Sequence, residues 1–513
     1  MTEAVRWPVM AKERDAMHET SDTTGGTVAA PTFSPTPPLE PIVSTRRVRF
    51  LDDEQLDRLQ DASLHILETV GVRFPNAQSL EILGDHGCAV DTATQVVRFP
   101  RDLVRRAVGL APRTFTMAAR NPAFDLALRE GTSYFTTDGC GVAAIDPDTG
   151  LERPSRKEDV ARMARIADAL PSIGFMWPTV SAQDFGQTSQ LHEIDAAVNN
   201  TVKHVQSMVQ GGAMARYAVE MATVLAGSRE ALRERPVLSN LVCSIAPLAQ
   251  DHAGLEAALV LAEAGIPVGF MSMPTLGTTA PATSAGALAM GDAEAISGIV
   301  LLQLAYPGTP VFHSILKAWA DPRTGTYVGY SIDGRARYAP VEIAHHWGLP
   351  SLAGCFGTDS AAPGTWQSAA EVAIDPVLGA MSGAEIVTGM GLDRTYTLLY
   401  PEAILLDDDL YQRARHALLA ERVDDETLAL DVIAAVGPGG HFLAEEHTRT
   451  FMRTALKRGL THELVGQGRY RDPVEVARER AARIRADHHP EPLPDVVRDE
   501  LARILAAAGR ELG

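Results

Sequence analysis

The feature that most constrains the fold of this chain is a series of short apolar runs that alternate with longer helix-like segments. The runs begin at intervals of roughly 30 to 45 residues, the size of a βα unit with modest insertions. They start near Ser133, Ser172, His204, Pro236, Ile266, Pro310, Pro350 and Glu385. Eight such units over about 250 residues are what a closed barrel requires. We therefore predict an α/β protein built on a (β/α)8 TIM barrel.

A doubly wound open sheet is the alternative to the barrel. Such a sheet normally binds its nucleotide through a glycine-rich first βα turn, and no GxGxxG motif occupies that position here. Helical patterns flank the barrel on both sides. We predict a disordered tail over residues 1–45, a helical and strand cap over 46–132, the barrel over 133–395 and a C-terminal helical region over 396–513.

Charge and composition limit the possible partners. Lys and Arg total 46 against 65 Asp and Glu, and the resulting charge of −19 repels nucleic acid and anionic membranes. The four cysteines have no close spacing that would indicate a disulfide scaffold or a zinc ribbon. No signal-peptide pattern is present, and the longest apolar run, residues 293–306, contains Glu294, which indicates a buried helix. We expect a cytoplasmic protein.

Two groups of histidines have to be considered as metal ligands. His345 and His346 are adjacent, and neighbouring residues of a helix point about 100° apart, so they cannot both ligate from one face. The His and Glu residues of segment 441–447 lack HExxH spacing. We predict no metal site.

In a barrel, ligands bind at the carboxyl ends of the strands and in the loops that follow. The residues predicted there are poor in paired carboxylates, which argues against a glycosidase. They are rich in Met, Ser, Thr and aromatic side chains, which suits an enzyme that binds a small cation by ring faces and leaves the difficult chemistry to a cofactor. His313 lies at one of these strand ends and is included in the predicted substrate site.

Segment 273–283 follows the fifth predicted strand and opens a helix, with Pro281 near the first helical position. Gly277, Thr278 and Thr279 would then present N–H groups and hydroxyls to a carboxylate at the positive end of the helix dipole. Ordinary N-capping by threonine is the alternative interpretation. These three residues are predicted to bind substrate.

The sequence resembles a known family, the corrinoid-dependent trimethylamine methyltransferases. The resemblance covers almost the whole ordered sequence, and its motifs occur in the same order. They read LHILETVGVRF (64–74), YFTTDGCGVAAIDPDTGLERPS (134–155), ADALPSIGF (167–175), MPTLGTTAPAT (273–283), GTDSAAP (357–363) and LDVIAAVGPGGHFLAEEHT (430–448). The resemblance implies a (β/α)8 barrel that passes a methyl group from a methylated amine to the cobalt of a separate corrinoid protein.

One departure from the family pattern bears on the substrate. The archaeal trimethylamine enzymes carry pyrrolysine in the loop after strand seven, next to the motif that reads Thr358-Asp359-Ser360 here. This chain has Ala361-Ala362-Pro363 at that place. The resemblance is therefore to the non-pyrrolysine branch, some members of which demethylate quaternary amines such as glycine betaine.

A quaternary ammonium is already charged, so the protein needs only to hold the cation, exclude water and aim the methyl group. Aromatic residues near the predicted strand ends are Phe135, Trp177, Phe270, Phe312, Phe356 and Trp366. We predict that Trp177 and Trp366 bind the cation, with Asp138 and Asp359 as charge partners. Loop capping is the alternative for each carboxylate. No catalytic residue is assigned.

The predicted function is transfer of a methyl group from a quaternary amine, such as glycine betaine, to the cob(I)alamin of a corrinoid protein. The corrinoid would be supplied in trans, with no tightly bound cofactor on this chain, and a homo-oligomer is expected. Two alternatives remain: corrinoid-independent transfer to a small acceptor such as tetrahydrofolate, and a betaine-binding protein without turnover.

Overall fold

Parallel strands close into a ring in chain order. The computed structural model describes residues 33–139, 141–329, 335–455, 459–466 and 468–513. The barrel strands, numbered β1 to β8, are Thr132–Thr137, Ile173–Met176, His204–Ser207, Leu238–Cys243, Val268–Ser272, Val311–Ile315, Leu352–Gly354 and Ile386–Met390. Each of the eight apolar runs found in the sequence contains one of these strands.

The strands pair in parallel from β1 through β6, and β8 joins β7 to β1. The ring closes between β6 and β7 through a parallel bridge from His313 to Ser351. There the Ser314 hydroxyl also donates to the Leu352 carbonyl at 2.8 Å. The predicted (β/α)8 barrel is confirmed.

Helices connect successive strands around the outside of the barrel. They are Lys157–Ala169, Ser189–Val198, Gly212–Ala226 followed by the short Arg229–Glu234, His252–Glu263, Ser284–Ala305, Arg335–His346, the pair Trp366–Val372 and Asp375–Ser382, and Ala403–Leu418. The last of these lies within the predicted C-terminal region, but it is the eighth helix of the barrel. Its Tyr411 ring packs edge-on against Phe135 of β1, with 4.8 Å between ring centroids.

The N-terminal helices cover the barrel helix Ser284–Ala305. They are Asp53–His65, which a π-helical turn extends over Ile66–Val70, Ala77–Asp85 and Arg101–Val108. The Ser63 hydroxyl donates to the Ala289 carbonyl at 2.9 Å. In the described part of the chain, one helix is long and apolar enough to cross a membrane, and it is this one. It is buried from Ala287 to Gln303 between the N-terminal helices and the barrel, as predicted for a core helix.

Ordered structure begins before residue 45, where the disordered tail was predicted to end. Residues 1–32 lie outside the described residues, but residues 33–45 run along the barrel. The Thr36 hydroxyl donates to the Asp168 carboxylate at 2.6 Å, and Ile42–Val43 pair antiparallel with the start of β1. This Pro-rich segment has no core of its own, but its polar groups find partners on the barrel surface.

A β-hairpin closes the amino-terminal end of the barrel. Its strands, Phe115–Met117 and Leu126–Leu128, pair antiparallel. Three of its side chains are fully buried against the lowest inward-facing residues of the barrel: Met117, Leu126 and Leu128. The Ala118 N–H donates to the carbonyl of Pro236, just before β4, which fixes the hairpin at this end. Access to the barrel interior is thereby left to the carboxyl end, which we call the mouth.

The chain leaves β8 through two short strands, and the second of them lies within the region 396–513 that was predicted to be helical. Leu392–Asp393 and Leu398–Leu399 join Ala143–Ile145 and Glu152–Pro154 in a second sheet. The remaining helices are Asp425–Leu428, Leu430–Val436, Glu446–Ala455, Pro473–Asp487 and Asp495–Leu512. The last two pack on barrel helices, whereas Asp425–Leu428 and Leu430–Val436 bury none of their residues.

Candidate functional site

Alternation along the strands separates side chains that point into the barrel from those that point out. One buried cluster fills the interior and takes residues from seven of the strands, among them Tyr134, Phe175, Leu241, Met271, Phe312, Leu352 and Ile386. Their neighbours in sequence, such as Phe135, Val242 and Phe270, belong to the larger cluster between strands and helices. Membership of one cluster or the other therefore indicates which way each residue faces.

Two of the predicted site residues meet at the mouth. Trp177 follows β2, is 3% exposed and belongs to the interior cluster. Its indole lies directly over Gly139, where a methyl group on the glycine would come within 1.9 Å of the indole Nε1. The Asp138 carboxylate accepts the Gly139 N–H at 2.7 Å. A ring and a carboxylate are thus brought together at the carboxyl ends of β1 and β2.

Strand β3 contributes polar side chains to the interior, and sequence analysis missed both of them. His204 lies 2.7 Å from the Ala118 carbonyl through Nδ1 and 2.9 Å from the Ser239 hydroxyl through Nε2. A carbonyl only accepts, so Nδ1 carries the proton and Nε2 accepts from Ser239. Burial lowers the pKa of His204 to about 4, so the ring is neutral at physiological pH. Gln206 is the next inward residue, and both are fully buried. Alternating polar residues in the run HVQSMV were the available signal.

The cysteines at the predicted strand ends do not converge as a set. Cys243 ends β4 on the inward side, beside the interior cluster. Burial raises the pKa of its thiol to about 12, and the negative charges of Asp138 and Asp251 add to the effect. Cys355 instead lies in the outer layer, with its Sγ 3.7 Å from the Tyr338 hydroxyl. Cys140 lies outside the described residues. Cys243 is therefore a protonated thiol near the mouth rather than an activated nucleophile.

Asp359 joins the loops that follow β7 and β8. Its carboxylate accepts the Thr395 hydroxyl at 2.8 Å and the Gly329 N–H at 3.3 Å. In the same place the Thr395 N–H donates to the Thr358 carbonyl at 2.7 Å. These contacts match the alternative interpretation of Asp359 as a residue that organises a loop.

The same loop carries Tyr396, a buried ring of the larger cluster between strands and helices that the sequence did not indicate. Arg394, Thr395 and Tyr396 have φ values of 50°, 53° and 62°, a left-handed run that side chains rarely adopt. The Tyr396 hydroxyl lies 3.7 Å from where a methyl group on Gly354, at the end of β7, would stand. Strained backbone of this kind concentrates at functional sites. Nothing in the sequence pattern signals three successive left-handed residues without glycine.

Gly277, Thr278 and Thr279 do not form the predicted carboxylate site. The helix begins at Ser284, three residues later than predicted, and the three residues form a tight turn instead. The N–H groups of Thr278 and Thr279 both donate to the Thr275 carbonyl, and that of Gly277 donates to Ala280. Their donors are therefore already used within the turn and do not meet the helix dipole.

Trp366 does not contribute to a cation site at the mouth. It starts the helix Trp366–Val372 and is 87% exposed to solvent. The physical reason is its position on the first turn of an outer helix, beyond the loop that follows β7. A ring so exposed is not the desolvated face that binds a cation strongly.

His313 points away from the interior. Its Nε2 lies 2.9 Å from the Asp292 carboxylate on the helix Ser284–Ala305, and the Trp347 indole N–H donates to the same carboxylate at 3.1 Å. Inward-facing Phe312 precedes it, so alternation turns His313 outward. The prediction that His313 contacts substrate is wrong, and the histidine belongs to a buried network in the wall.

The other candidate aromatics divide by the same alternation. Phe312 points inward, where its ring fills the space above Gly269. Phe135 and Phe356 pack against each other in the outer layer, with 5.8 Å between centroids, and Phe270 packs outward onto Gly298. Trp177 is therefore the one predicted aromatic that lies both inward and at the mouth.

The adjacent histidines point to different partners. His345 Nε2 lies 3.1 Å from the Glu385 carboxylate, whereas His346 Nε2 lies 3.2 Å from Asp57 on the first N-terminal helix. Over the described residues, no group of three or more His, Cys, Asp or Glu is arranged to hold a metal ion.

With this geometry in place, comparison with known proteins assigns the family. A sequence model of the family described as trimethylamine methyltransferase (MTTB) matches residues 21–513. This chain belongs to the trimethylamine methyltransferase family. Family members are methyltransferases, and the chain is therefore a methyltransferase enzyme.

Relatives of the trimethylamine methyltransferase family match along nearly their whole length. Trimethylamine methyltransferase MttB of Desulfitobacterium hafniense strain DCB-2 is 33% identical over 469 residues, covering 90% of this chain and 94% of that protein. Glycine betaine methyltransferase of Desulfitobacterium hafniense strain Y51 is 28% identical over 478 residues, covering 91% and 98%. The crystal structure of the Methanosarcina barkeri monomethylamine methyltransferase aligns with a TM-score of 0.44 and 10% identity, covering 91% of this chain and 95% of that chain.

Proposed function

We propose that this methyltransferase moves a methyl group from a quaternary amine to the cob(I)alamin of a separate corrinoid protein. The observation that carries the proposal is the Trp177 indole beside the Asp138 carboxylate at the mouth of the barrel. A quaternary ammonium has no N–H to donate, so a protein holds it by ring faces and opposite charge. This pair offers both.

The loop after β7 supports a quaternary amine over a tertiary one. Where the resemblance places pyrrolysine in the archaeal trimethylamine enzymes, this chain has ordinary residues that are tied into the loop. The Ala361 carbonyl accepts the Tyr400 hydroxyl at 3.2 Å, and the Ala362 carbonyl accepts the Ser360 hydroxyl at 2.9 Å. A neutral tertiary amine would need activation before its methyl group could be displaced. A quaternary ammonium that gives up a methyl group keeps the electron pair of the broken C–N bond and leaves with a neutral tertiary amine nitrogen.

The remaining work of the chain is to bind, orient and exclude water. The corrinoid supplies a strongly nucleophilic metal centre when its protein is docked. Trp177 and Asp138 would hold the cation so that one methyl group faces outward through the mouth. Exposed apolar side chains follow β1, β4 and β5 around this opening, and they are suited to the rim of a docking surface: Val142, Ile245 and Met273.

The first test compares amines in a single spectroscopic assay. We expect glycine betaine or another quaternary amine to remove the cob(I)alamin absorbance when this protein and a corrinoid protein are present. Trimethylamine should give no loss above background, because the loop after β7 has ordinary residues, Ala361 to Pro363, where the resemblance places pyrrolysine. Equal rates for the two amines would contradict the proposal. Methylation of tetrahydrofolate without corrinoid would favour corrinoid-independent transfer. Binding of the amine without turnover would favour a betaine-binding protein.

The structure also reverses the expectation for Thr278. Thr278→Val should change the dissociation constant of glycine betaine by less than about a factor of two, since an exposed turn residue outside the site contributes within about 0.5 kcal/mol. Isothermal titration calorimetry on the two proteins measures this difference. A tenfold loss of affinity for glycine betaine would show that the turn does bind the carboxylate.

A further inference from the structure

The amide of Gln206 is the most anomalous polar group in the barrel. The residue is fully buried, and neither its Oε1 nor its Nε2 has a hydrogen-bond partner among the described residues. Buried amides are nearly always bonded, because an unpaired donor or acceptor in a nonpolar interior carries the full cost of its lost hydration. The amide can therefore bond a polar group that comes from outside the protein, either a ligand or an ordered water.

Gln206 points into the barrel and toward the mouth. Val205 and Val209 belong to the outer cluster, whereas Met208 packs with the interior cluster. The His204 ring lies edge-on to inward-facing Phe175, with 5.9 Å between centroids. Alternation therefore turns 204, 206 and 208 inward. Since Phe175 pairs with His204 and Met176 with Val205, the register continues with Trp177 beside Gln206.

The chemistry of the ligand follows from what an ammonium cannot do. A trimethylammonium group has neither an N–H nor a lone pair, so it would leave the amide as unpaired as before. Trp177 and Asp138 already suit the cation. The Nε2 donors require an acceptor elsewhere on the same molecule, and a carboxylate is the strongest acceptor that a small amine can carry.

We infer that Gln206 binds the carboxylate of a carboxylated quaternary amine through its Nε2 donors. This inference rests on the proposed function, and it adds a specificity residue and a substrate class to it. Phe175 pairs with Thr136 on one side and with His204 on the other, so the register continues with Asp138 and Gln206 on opposite sides of Trp177. The cation would then lie against Trp177 and Asp138 on the β1 side, and the carboxylate would lie toward Gln206 on the β3 side, so that the two ends of one small molecule are held at once.

The test uses two ligands that share a cation and differ in the acceptor. Glycine betaine and tetramethylammonium are titrated into the full-length wild-type protein and into Gln206→Met, a substitution that roughly conserves volume. We expect the affinity for glycine betaine to fall about ten- to hundred-fold, as for loss of a hydrogen bond to a charged group. The affinity for tetramethylammonium should stay within about twofold, because Gln206 makes no bond to the cation.

A second variant covers the case in which methionine perturbs the site. Gln206→Glu places a second carboxyl group against the substrate carboxylate in place of the Nε2 donors. It should reduce glycine betaine affinity further while leaving tetramethylammonium bound at least as well. Parallel losses for both ligands, or no loss for glycine betaine, would overturn the inference. If the wild-type protein bound neither ligand, the proposed function itself would fail, which is a separate result.

Thermal unfolding supplies a readout that does not depend on ligand. Gln206→Met should leave the Tm unchanged or raise it, because it removes an unpaired buried amide. Gln250→Met is the matched control, since the Gln250 Nε2 donates to the Glu294 carbonyl at 2.7 Å and to Ser297 at 2.9 Å. That variant should lower the Tm and leave the preference between the two ligands intact. A similar fall in Tm for Gln206→Met would show that the amide stabilises the folded protein, contrary to the inference.

Discussion

Replacing Trp177 by alanine is expected to weaken amine binding by about 1–2 kcal/mol, roughly a 5- to 30-fold rise in the dissociation constant, the range of a desolvated cation–π contact. The same change should lower the free energy of unfolding by about 3–5 kcal/mol, because it empties the volume of a buried indole. Trp177 is 3% exposed within the interior cluster, so both effects have a structural basis. Calorimetric titration and denaturant unfolding measure them separately.

Two further variants separate the ring face from the fold. Trp177→Phe keeps an aromatic face and should retain most of the affinity. Gly139→Ala removes no aromatic atom, but its methyl group would stand 1.9 Å from the indole Nε1, so the ring has to move away from Asp138. We expect that variant to lose affinity as Trp177→Ala does. Unchanged affinity in both Trp177→Ala and Gly139→Ala would place the cation elsewhere.

Acidification should destabilise the protein through His204. Its pKa is about 4 in the folded protein because of burial, against about 6.5 for an unperturbed histidine. Between these values the unfolded chain binds the extra proton, so stability rises with pH and is lost as pH falls from 6.5 toward 4. At pH 5 this one group should have removed about 2 kcal/mol relative to pH 7.5, at ~1.4 kcal/mol per pKa unit.

His204→Asn is the variant that tests this prediction. Its amide can still donate toward the Ala118 carbonyl, and any constant cost of losing Ser239 cancels when two pH values are compared. The difference in unfolding free energy between pH 7.5 and pH 5 should shrink by about 2 kcal/mol in the variant. Groups elsewhere titrate equally in both proteins. An undiminished difference would show that His204 is not the acid-sensitive group.

The barrel was predictable because strands that are buried on both faces consist of nearly continuous apolar residues in the sequence. Each run in this sequence is bounded by Gly, Pro or a polar helix start, and its spacing is set by the connecting helix. Asp138 and Trp177 could be placed at the mouth for the same reason, since each directly follows a strand. Their role in binding stays a prediction.

The direction of a side chain could not be predicted for strands with two buried faces. His313 was assigned to the mouth because it lies at a strand end, but Phe312 takes the inward position and turns His313 to the wall. Gln206 was overlooked for the opposite reason: it faces inward, but its run was interpreted as an ordinary buried strand. Thr278 was misplaced because Pro281 suggested a helix start that lies three residues further on. Tertiary packing decided each of these cases.

The hairpin closes the amino-terminal end of the barrel, so that the interior is reached through the mouth. Under the proposed function, the opening that admits the amine is the one that the corrinoid protein covers. The amine therefore has to enter first, and the demethylated product has to wait until the corrinoid protein departs. A corrinoid protein that docks on an empty barrel blocks the next amine, so an excess of the second reactant slows turnover. The hairpin side chains that close the amino-terminal end would in this way determine the order in which the amine and the corrinoid protein bind. They are Phe115, Met117, Leu126 and Leu128, and they lie at the opposite end of the barrel from the mouth.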